Sequence, residues 1–312
     1  MAIAADWRGR QTEEHRVRVC CAGEVMLEMA AASEPGLYRA GVAGDTFNTA
    51  VYLARAGLDV AYLTRLGDDS FSGDILRRMR EEGIGTELVE RCAGARPGLY
   101  LISNDARGER HFHYWRDAAP VRSLFDQPLP APDAGLFYFS GITLAVTRSG
   151  RDNFLRLLGE LRARGCRIAY DSNYRPQLWD SVAQAREYNR SVLPLCDIAL
   201  PTLADDCLLW DISTVQACRA LYADAGTGEI VVKAADLTAQ AFAGPLHAQR
   251  RAAPVRALDT TGAGDAFNAG YLAARLNGAS LDDALRAAQA LAATVVQYHG
   301  AIIPREDATQ DH

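Results

Sequence analysis

The sequence predicts an α/β fold, doubly wound around a mostly parallel sheet, and three observations carry that prediction. Short apolar runs of strand length alternate with longer segments of helical period. Glycines punctuate the junctions, and one pair of alternating strands interrupts the rhythm. No internal repeat or low-complexity linker divides the chain, so 312 residues fit one large domain.

The elements follow in order. Residues 1–16 are polar, lack the apolar core of a secretory signal, and are expected to form a flexible tail before a single domain over 17–312. Val17 to Ala22 reads as a first strand, Thr46 to Ala56 as a helix stopped at Gly57, and Val60 to Thr64 as a second strand. A helix is expected from Ser70 to Glu82. Gly98 to Arg116 then alternates as a hairpin about the turn Asn104-Asp105-Ala106-Arg107-Gly108. Strands at 136–139, 167–170, 198–200 and 230–233, with a helix over 151–164, restore the alternation that marks a parallel sheet.

Composition narrows the function classes. With 49% hydrophobic and 23% charged residues the chain has globular values, and no apolar run is long enough to span a bilayer. A net charge of −6 argues against nonspecific binding to nucleic acid or membrane surfaces. Seven cysteines without a C-x-x-C pair read as reduced thiols in a cytoplasmic chain. Lys233 is the sole lysine, so arginine carries nearly all the positive charge.

The most informative stretch is Leu258-Asp259-Thr260-Thr261-Gly262-Ala263-Gly264-Asp265-Ala266-Phe267-Asn268. Two glycines let backbone approach a ligand, and small residues continue as a helix, so its N-terminus offers amides to an anion. Asp265 beside a phosphate makes sense as a group that takes a proton from an attacking hydroxyl. The plainer alternative is a turn followed by an acidic first helical residue, which on four residues alone is the commoner case. No Walker A sequence competes as a phosphate site.

Over Asp259 to Phe267 the segment resembles the C-terminal signature of the ribokinase-like carbohydrate kinases. That resemblance implies that Asp265 is the catalytic base, with the amides of Gly262, Ala263 and Gly264 stabilising the transferred phosphoryl group. It further implies helices on both faces of the sheet and a small β lid inserted at about 26–43 and 86–118. Gly41-Val42-Ala43-Gly44-Asp45-Thr46-Phe47-Asn48 leads glycines into another helix, with Asp45 and Asn48 three apart on its first turn. Asp45 or Thr46 could be no more than an N-cap. The Gly-Asp-Thr-x-Asn-Thr form resembles the 2-keto-3-deoxygluconate kinase branch, which implies that Gly44, Asp45 and Asn48 hold sugar hydroxyls.

Two further clusters resemble the same branch. One is Pro97-Gly98-Leu99-Tyr100 with Tyr114-Trp115-Arg116 on the return strand, where Tyr114 and Arg116 share a face. The other is Asp171-Ser172-Asn173-Tyr174-Arg175, just after a strand. Tyr100, Tyr114, Arg116, Asn173 and Arg175 are thereby expected at the substrate. The two arginines would clamp a carboxylate that neutral sugars lack, unless either pairs with an internal acid. The expected reaction is ATP-dependent phosphorylation of the C6 hydroxyl of 2-keto-3-deoxygluconate.

For the nucleotide side the resemblance implies Thr202, Lys233, Asn268 and Gly300, the last in a closing segment like the family's. It departs in two places. Thr202-Leu203-Ala204-Asp205-Asp206 stands where many relatives carry Asn-x-x-Glu, so Mg2+ is expected through Asp205 or Asp206. Lys233-Ala234-Ala235-Asp236 replaces a glycine-bearing loop. Asp259 and Thr261 match positions that bind a monovalent cation such as K+ in some relatives. The partners expected are a small sugar acid and ATP, with neither nucleic acid nor membrane, and a homo-oligomer formed through the lid. A fructose or ribose kinase, or a non-catalytic sugar-binding sensor on the same fold, are the alternatives; a dinucleotide oxidoreductase is disfavoured because no G-x-G-x-x-G follows the first strand.

Overall fold

The computed structural model describes residues 18–32, 34, 36–104 and 110–305. The expected tail at 1–16 and most of the expected turn at 104–108 lie outside these residues. In chain order the structure runs β1 (Arg18–Ala22), β2 (Met26–Ala31), β3 (Tyr38–Ala43), α1 (Asp45–Arg55), β4 (Asp59–Gly67), α2 (Ser70–Glu81), β5 (Ile84–Gly85) and β6 (Val89–Cys92). It continues through β7 (Gly98–Asn104), β8 (Arg110–Trp115), β9 (Leu136–Ser140), α3 (Gly141–Val146), α4 (Arg151–Ala163), β10 (Arg167–Asp171), α5 (Val182–Val192) and β11 (Ile198–Ala199). The remainder is α6 (Leu203–Trp210), α7 (Val215–Asp224), β12 (Glu229–Lys233), β13 (Thr238–Ala243), β14 (Leu246–Arg251), α8 (Ala263–Leu276) and α9 (Leu281–Val295).

The large sheet has the order β14-β13-β12-β11-β10-β9-β1-β4-β5, with β6 also on β4. Pairings from β12 through β5 are parallel, and an antiparallel hairpin, β13 and β14, closes one edge. Alternation along the central strands explains the two cores. Cys20, Phe137, Phe139, Ile168 and Tyr170 face α4 and α5, while Val19, Cys21, Leu136, Tyr138 and Ala169 face α1, α8 and α9. The chain leaves β1 in both directions across the sheet, to β4 and later to β9, and such a reversal opens a crevice at the carboxyl ends of the strands.

A second sheet, β3-β2-β7-β8, stands over that crevice. Its strands come from 26–43 and 98–115, the two insertions expected to form the lid. The lid's second segment is shorter than the expected 86–118, because Val89 to Cys92 pairs in register with Thr64 to Gly67 of β4 and so belongs to the large sheet. All seven cysteines are free thiols. No helix among the described residues is long and apolar enough to cross a membrane.

Candidate active site

Helix α8 begins in a turn that only its sequence permits. Gly262 caps it with φ 74°, in the left-handed region, and a Cβ there would lie 2.6 Å from the Ala301 Cβ. The cap has no side-chain hydrogen bond. The Ala263 N–H donates to the Thr260 carbonyl at 3.2 Å, so of the three amides expected to meet a phosphoryl group this one is already engaged. A Cβ on Gly264 would meet nothing within 4 Å, which marks the open side of the turn. Gly262→Ala is therefore expected to destabilise the fold by about 1–3 kcal/mol through backbone strain and the Ala301 clash. Gly264→Ala should leave stability within about 0.5 kcal/mol while weakening anion binding. Denaturant midpoints beside turnover measurements check both; equal destabilisation by the two would contradict this geometry.

Asp265, on the first turn of α8, projects into a cleft of about 860 Å³ lined also by Glu24, Asp45, Asn48, Tyr100, Tyr114, Arg116, Asp171, Asn173, Arg175 and Asp205. The Asn48 amide donates to Asp265 at 2.8 Å, and the Asn173 amide donates to Asp45 at 2.8 Å. Helices α1 and α8 thus bring their N-terminal turns together at the crevice, each begun by a glycine. Gly44 is required there, since a Cβ would stand 2.2 Å from the Glu24 carbonyl oxygen.

Burial and the nearby Asp45 carboxylate push the Asp265 carboxyl well above the usual range, against the pull of the Asn48 amide. Burial raises Asp45 as well. A carboxyl whose folded pKa is raised holds its proton more tightly in the fold than in the unfolded chain. The stability linked to it is full below about pH 4 and is lost as pH rises through the folded value. Asp265→Asn, which removes that loss, is expected to stabilise the ligand-free protein increasingly between about pH 5 and about pH 8. Chemical-denaturation midpoints across that range test the sign.

Lys233 and Asn268 sit beneath this cleft. The Lys233 ammonium donates to the Asn268 side-chain oxygen at 2.9 Å and lies 3.3 Å from Asp171, while the Asn268 amide donates to Asp171 at 2.6 Å. Asn268 is fully buried and also donates to Tyr138, which corrects its expected place at the nucleotide: it holds Asp171 and Lys233 in position and has no exposed face.

The arginine clamp needs correction too. Arg116 is buried against Glu24 in an ion pair, and its guanidinium stacks 5.0 Å from the Tyr114 ring centre. Arg175 pairs with Asp205 at 3.1 Å. Each arginine therefore already faces an internal carboxylate, although Arg116 keeps Nε, and Glu24 keeps Oε1, buried without a partner. Tyr100 donates its hydroxyl to Glu28. Of the two expected metal carboxylates only Asp205 borders the cleft. Asp206 turns into the protein toward Cys218, and burial pushes its carboxyl up to about 7. Gly300 is likewise displaced from its expected role, since it donates its N–H to Asp259 at 2.6 Å and lines neither cavity. Asp259 also accepts the Thr261 N–H at 2.9 Å.

Next to the polar cleft lies an apolar pocket of about 380 Å³ between β13, α8 and α9. Ala253, Val255, Phe267, Ala292 and Val296 supply its walls, and Lys233 stands at its edge. Thr202, Thr260, Ala263 and Gly264 belong to both cavities, so the opening of α8 is the partition between a polar and an apolar chamber. That is the arrangement expected of a site that takes two ligands and joins them at one backbone turn.

A model of the pfkB family of carbohydrate kinases matches residues 17–308. The chain belongs to the pfkB family. This pfkB-family chain is 40% identical over 305 residues to the 2-dehydro-3-deoxygluconokinase of Escherichia coli strain K12, across 93% of this chain and 98% of that one. It is also 40% identical over 304 residues to the protein of the same name from Dickeya dadantii strain 3937, across 91% and 96%. The crystal structure of a PfkB protein from Polaromonas sp. JS666 shares the fold with a TM-score of 0.79 at 25% identity, covering 90% of this chain and 96% of that chain.

Two cleft groups of this pfkB-family site were not singled out from sequence, Glu24 and Asp171. Both directly follow or end central strands, where a ligand crevice opens, and that position was the available signal. Apart from Phe267, which lies in the motif at 259–267, the walls of the apolar pocket carried none, being mostly small residues scattered along the chain.

Proposed function

We propose that this kinase transfers the γ-phosphoryl group of ATP to the C6 hydroxyl of 2-keto-3-deoxygluconate. The observation that carries the reaction is the half-buried Asp265 at the N-terminus of α8, standing between a polar chamber and an apolar one. The 40% identity to two proteins named for that substrate supports its choice. In this reading the sugar acid lies in the polar cleft, held by Asp45, Asn48 and Asn173, and the adenine base lies among Ala253, Val255, Phe267 and Val296. Positive charge from Lys233, joined by that of Mg2+ when bound, favours the ionised form of Asp265, which then takes the proton of the attacking hydroxyl. Asn48 fixes its orientation, and the Gly264 backbone receives the charge on the transferred group. Hard carboxylate oxygens at Asp205 and Asp171 suit Mg2+, which supplies charge neutralisation on the phosphates. A monovalent cation such as K+ beside Asp259 and Thr261 belongs to the same proposal, as does a cytoplasmic setting for a chain with seven free thiols.

Arg175 is 40% exposed and shares the cleft lining with its Asp205 partner, so it can exchange that partner for the substrate's carboxylate. Arg116 would contribute through its unpartnered Nε. The test is ATP turnover with Mg2+ on 2-keto-3-deoxygluconate against gluconate, fructose and ribose. Turnover confined to the keto-deoxy acid, with a KM raised roughly tenfold or more in Arg175→Ala, is expected for loss of a charge-assisted pair. A second reading, a neutral-sugar kinase of the same family, draws on the internal pairing of both arginines; preference for fructose or ribose would establish it. Exposed Tyr38 and Trp115 on the second sheet, with Leu37 just before it, favour a homo-oligomer through that surface.

A further inference from the structure

At the far end of α3 from the catalytic cleft, a separate cavity of about 300 Å³ opens between the turn at 120–123, the start of α4 and the start of α5. Three guanidinium groups, Arg122, Arg148 and Arg151, converge on it. Its floor is apolar and aromatic, formed by Val146, Trp179 and Tyr188, whose rings meet edge to face at 6.2 Å. We propose that this cavity is a binding site for a small oxyanion, a phosphate or carboxylate group carried on a short organic body.

Three observations support it independently of the kinase reading. Arg122 makes no ion pair with any described residue, although it is only half exposed. Arg148 and Arg151 pair with Asp180 at 3.3 Å and Glu187 at 2.6 Å, but those carboxylates are 69% and 71% exposed. Such rim pairs contribute little and exchange readily for a bound anion. The Tyr188 ring, with the Arg151 guanidinium 5.1 Å from its centre, holds Arg151 at the cavity wall.

The three forks match the planar, multidentate geometry of phosphate and carboxylate. The aromatic floor gives the rest of the ligand an apolar surface, and the volume limits it to a small molecule. Arg122, Arg148, Arg151 and Tyr188 line neither chamber of the catalytic site, although the Arg122 charge is felt by the Glu24 carboxyl in the cleft, so a ligand here leaves that site sterically open.

Isothermal titration of the full chain with inorganic phosphate, and separately with acetate, at ionic strength held constant with chloride, tests the proposal. Saturable heat from at least one anion is expected, weakened roughly tenfold or more by Arg122→Gln and by Arg148→Gln, the loss of one charge-assisted contact. Lys233→Gln, which alters the catalytic cleft, should leave that heat unchanged. Heat from phosphate alone assigns a phosphoryl ligand, and heat from acetate alone a carboxylate. Two results overturn the proposal: no saturable heat with either anion, or heat lost in Lys233→Gln and retained in both arginine variants, which would place the anion in the kinase cleft. Circular dichroism of each variant separates lost binding from lost folding, and having two arginine variants keeps the test decisive if one fails to fold.

Discussion

Asp265→Asn is expected to lower turnover by about 10²–10⁴-fold while leaving the KM for the sugar within about threefold, because a positioned general base contributes on that scale to proton transfer and little to ground-state binding. The geometry supports this split. Asp265 touches Asn48 and faces Asp45, whereas the sugar-side contacts assigned to Asp45 and Asn173 form a separate hydrogen-bonded pair. Asparagine keeps the volume and one acceptor oxygen for the Asn48 amide, so the α1–α8 junction stays intact. It cannot accept the hydroxyl proton. Single-turnover kinetics with the sugar acid, beside an unfolding curve, give the answer. Near-normal turnover would remove Asp265 from the role of base, whereas a loss confined to KM would make it a binding group.

Arg116→Ala should produce the largest change in stability, about 3 kcal/mol. Removing one partner of a buried ion pair strands the other charge, and the usual cost is about 3–5 kcal/mol. The lower end applies because burial already pushes the Glu24 carboxyl up, so a proton can neutralise it once Arg116 is gone. With its folded pKa raised further, the stability linked to Glu24 is complete below about pH 4 and is lost as pH climbs through the new value. The destabilisation should therefore grow from about pH 5 to about pH 8. Replacing both partners, Glu24→Gln with Arg116→Met, should recover most of the loss. Equilibrium denaturation at the two pH values checks this. A single mutant as stable as the parent would show that Arg116 is a ligand-binding group without a structural role.

These two residues mark the division between what sequence determines and what tertiary structure decides. The α/β class, the crossover rhythm and the glycine turns before Asp45 and Asp265 are local: period, turn chemistry and helix starts act over a few residues and can be read along the chain. The position of Asp265 at a helix N-terminus followed from its immediate neighbours. Its elevated carboxyl did not, because it depends on burial and on Asp45, far away in the chain. Pairing across 92 positions sets Glu24 against Arg116, and across 30 positions sets Asp205 against Arg175, so a clamp plausible from sequence meets internal acids instead. Asn268 and Gly300, though close to or within recognisable motifs, were turned inward by contacts with Asp171 and Asp259. Strand β13 and helix α9, which help to build the apolar chamber, follow no motif. Sequence by itself determined the chemical groups and the local frames that present them. Only folding decided which charges meet, because the low-dielectric crevice where they meet is assembled from segments that share no local signal.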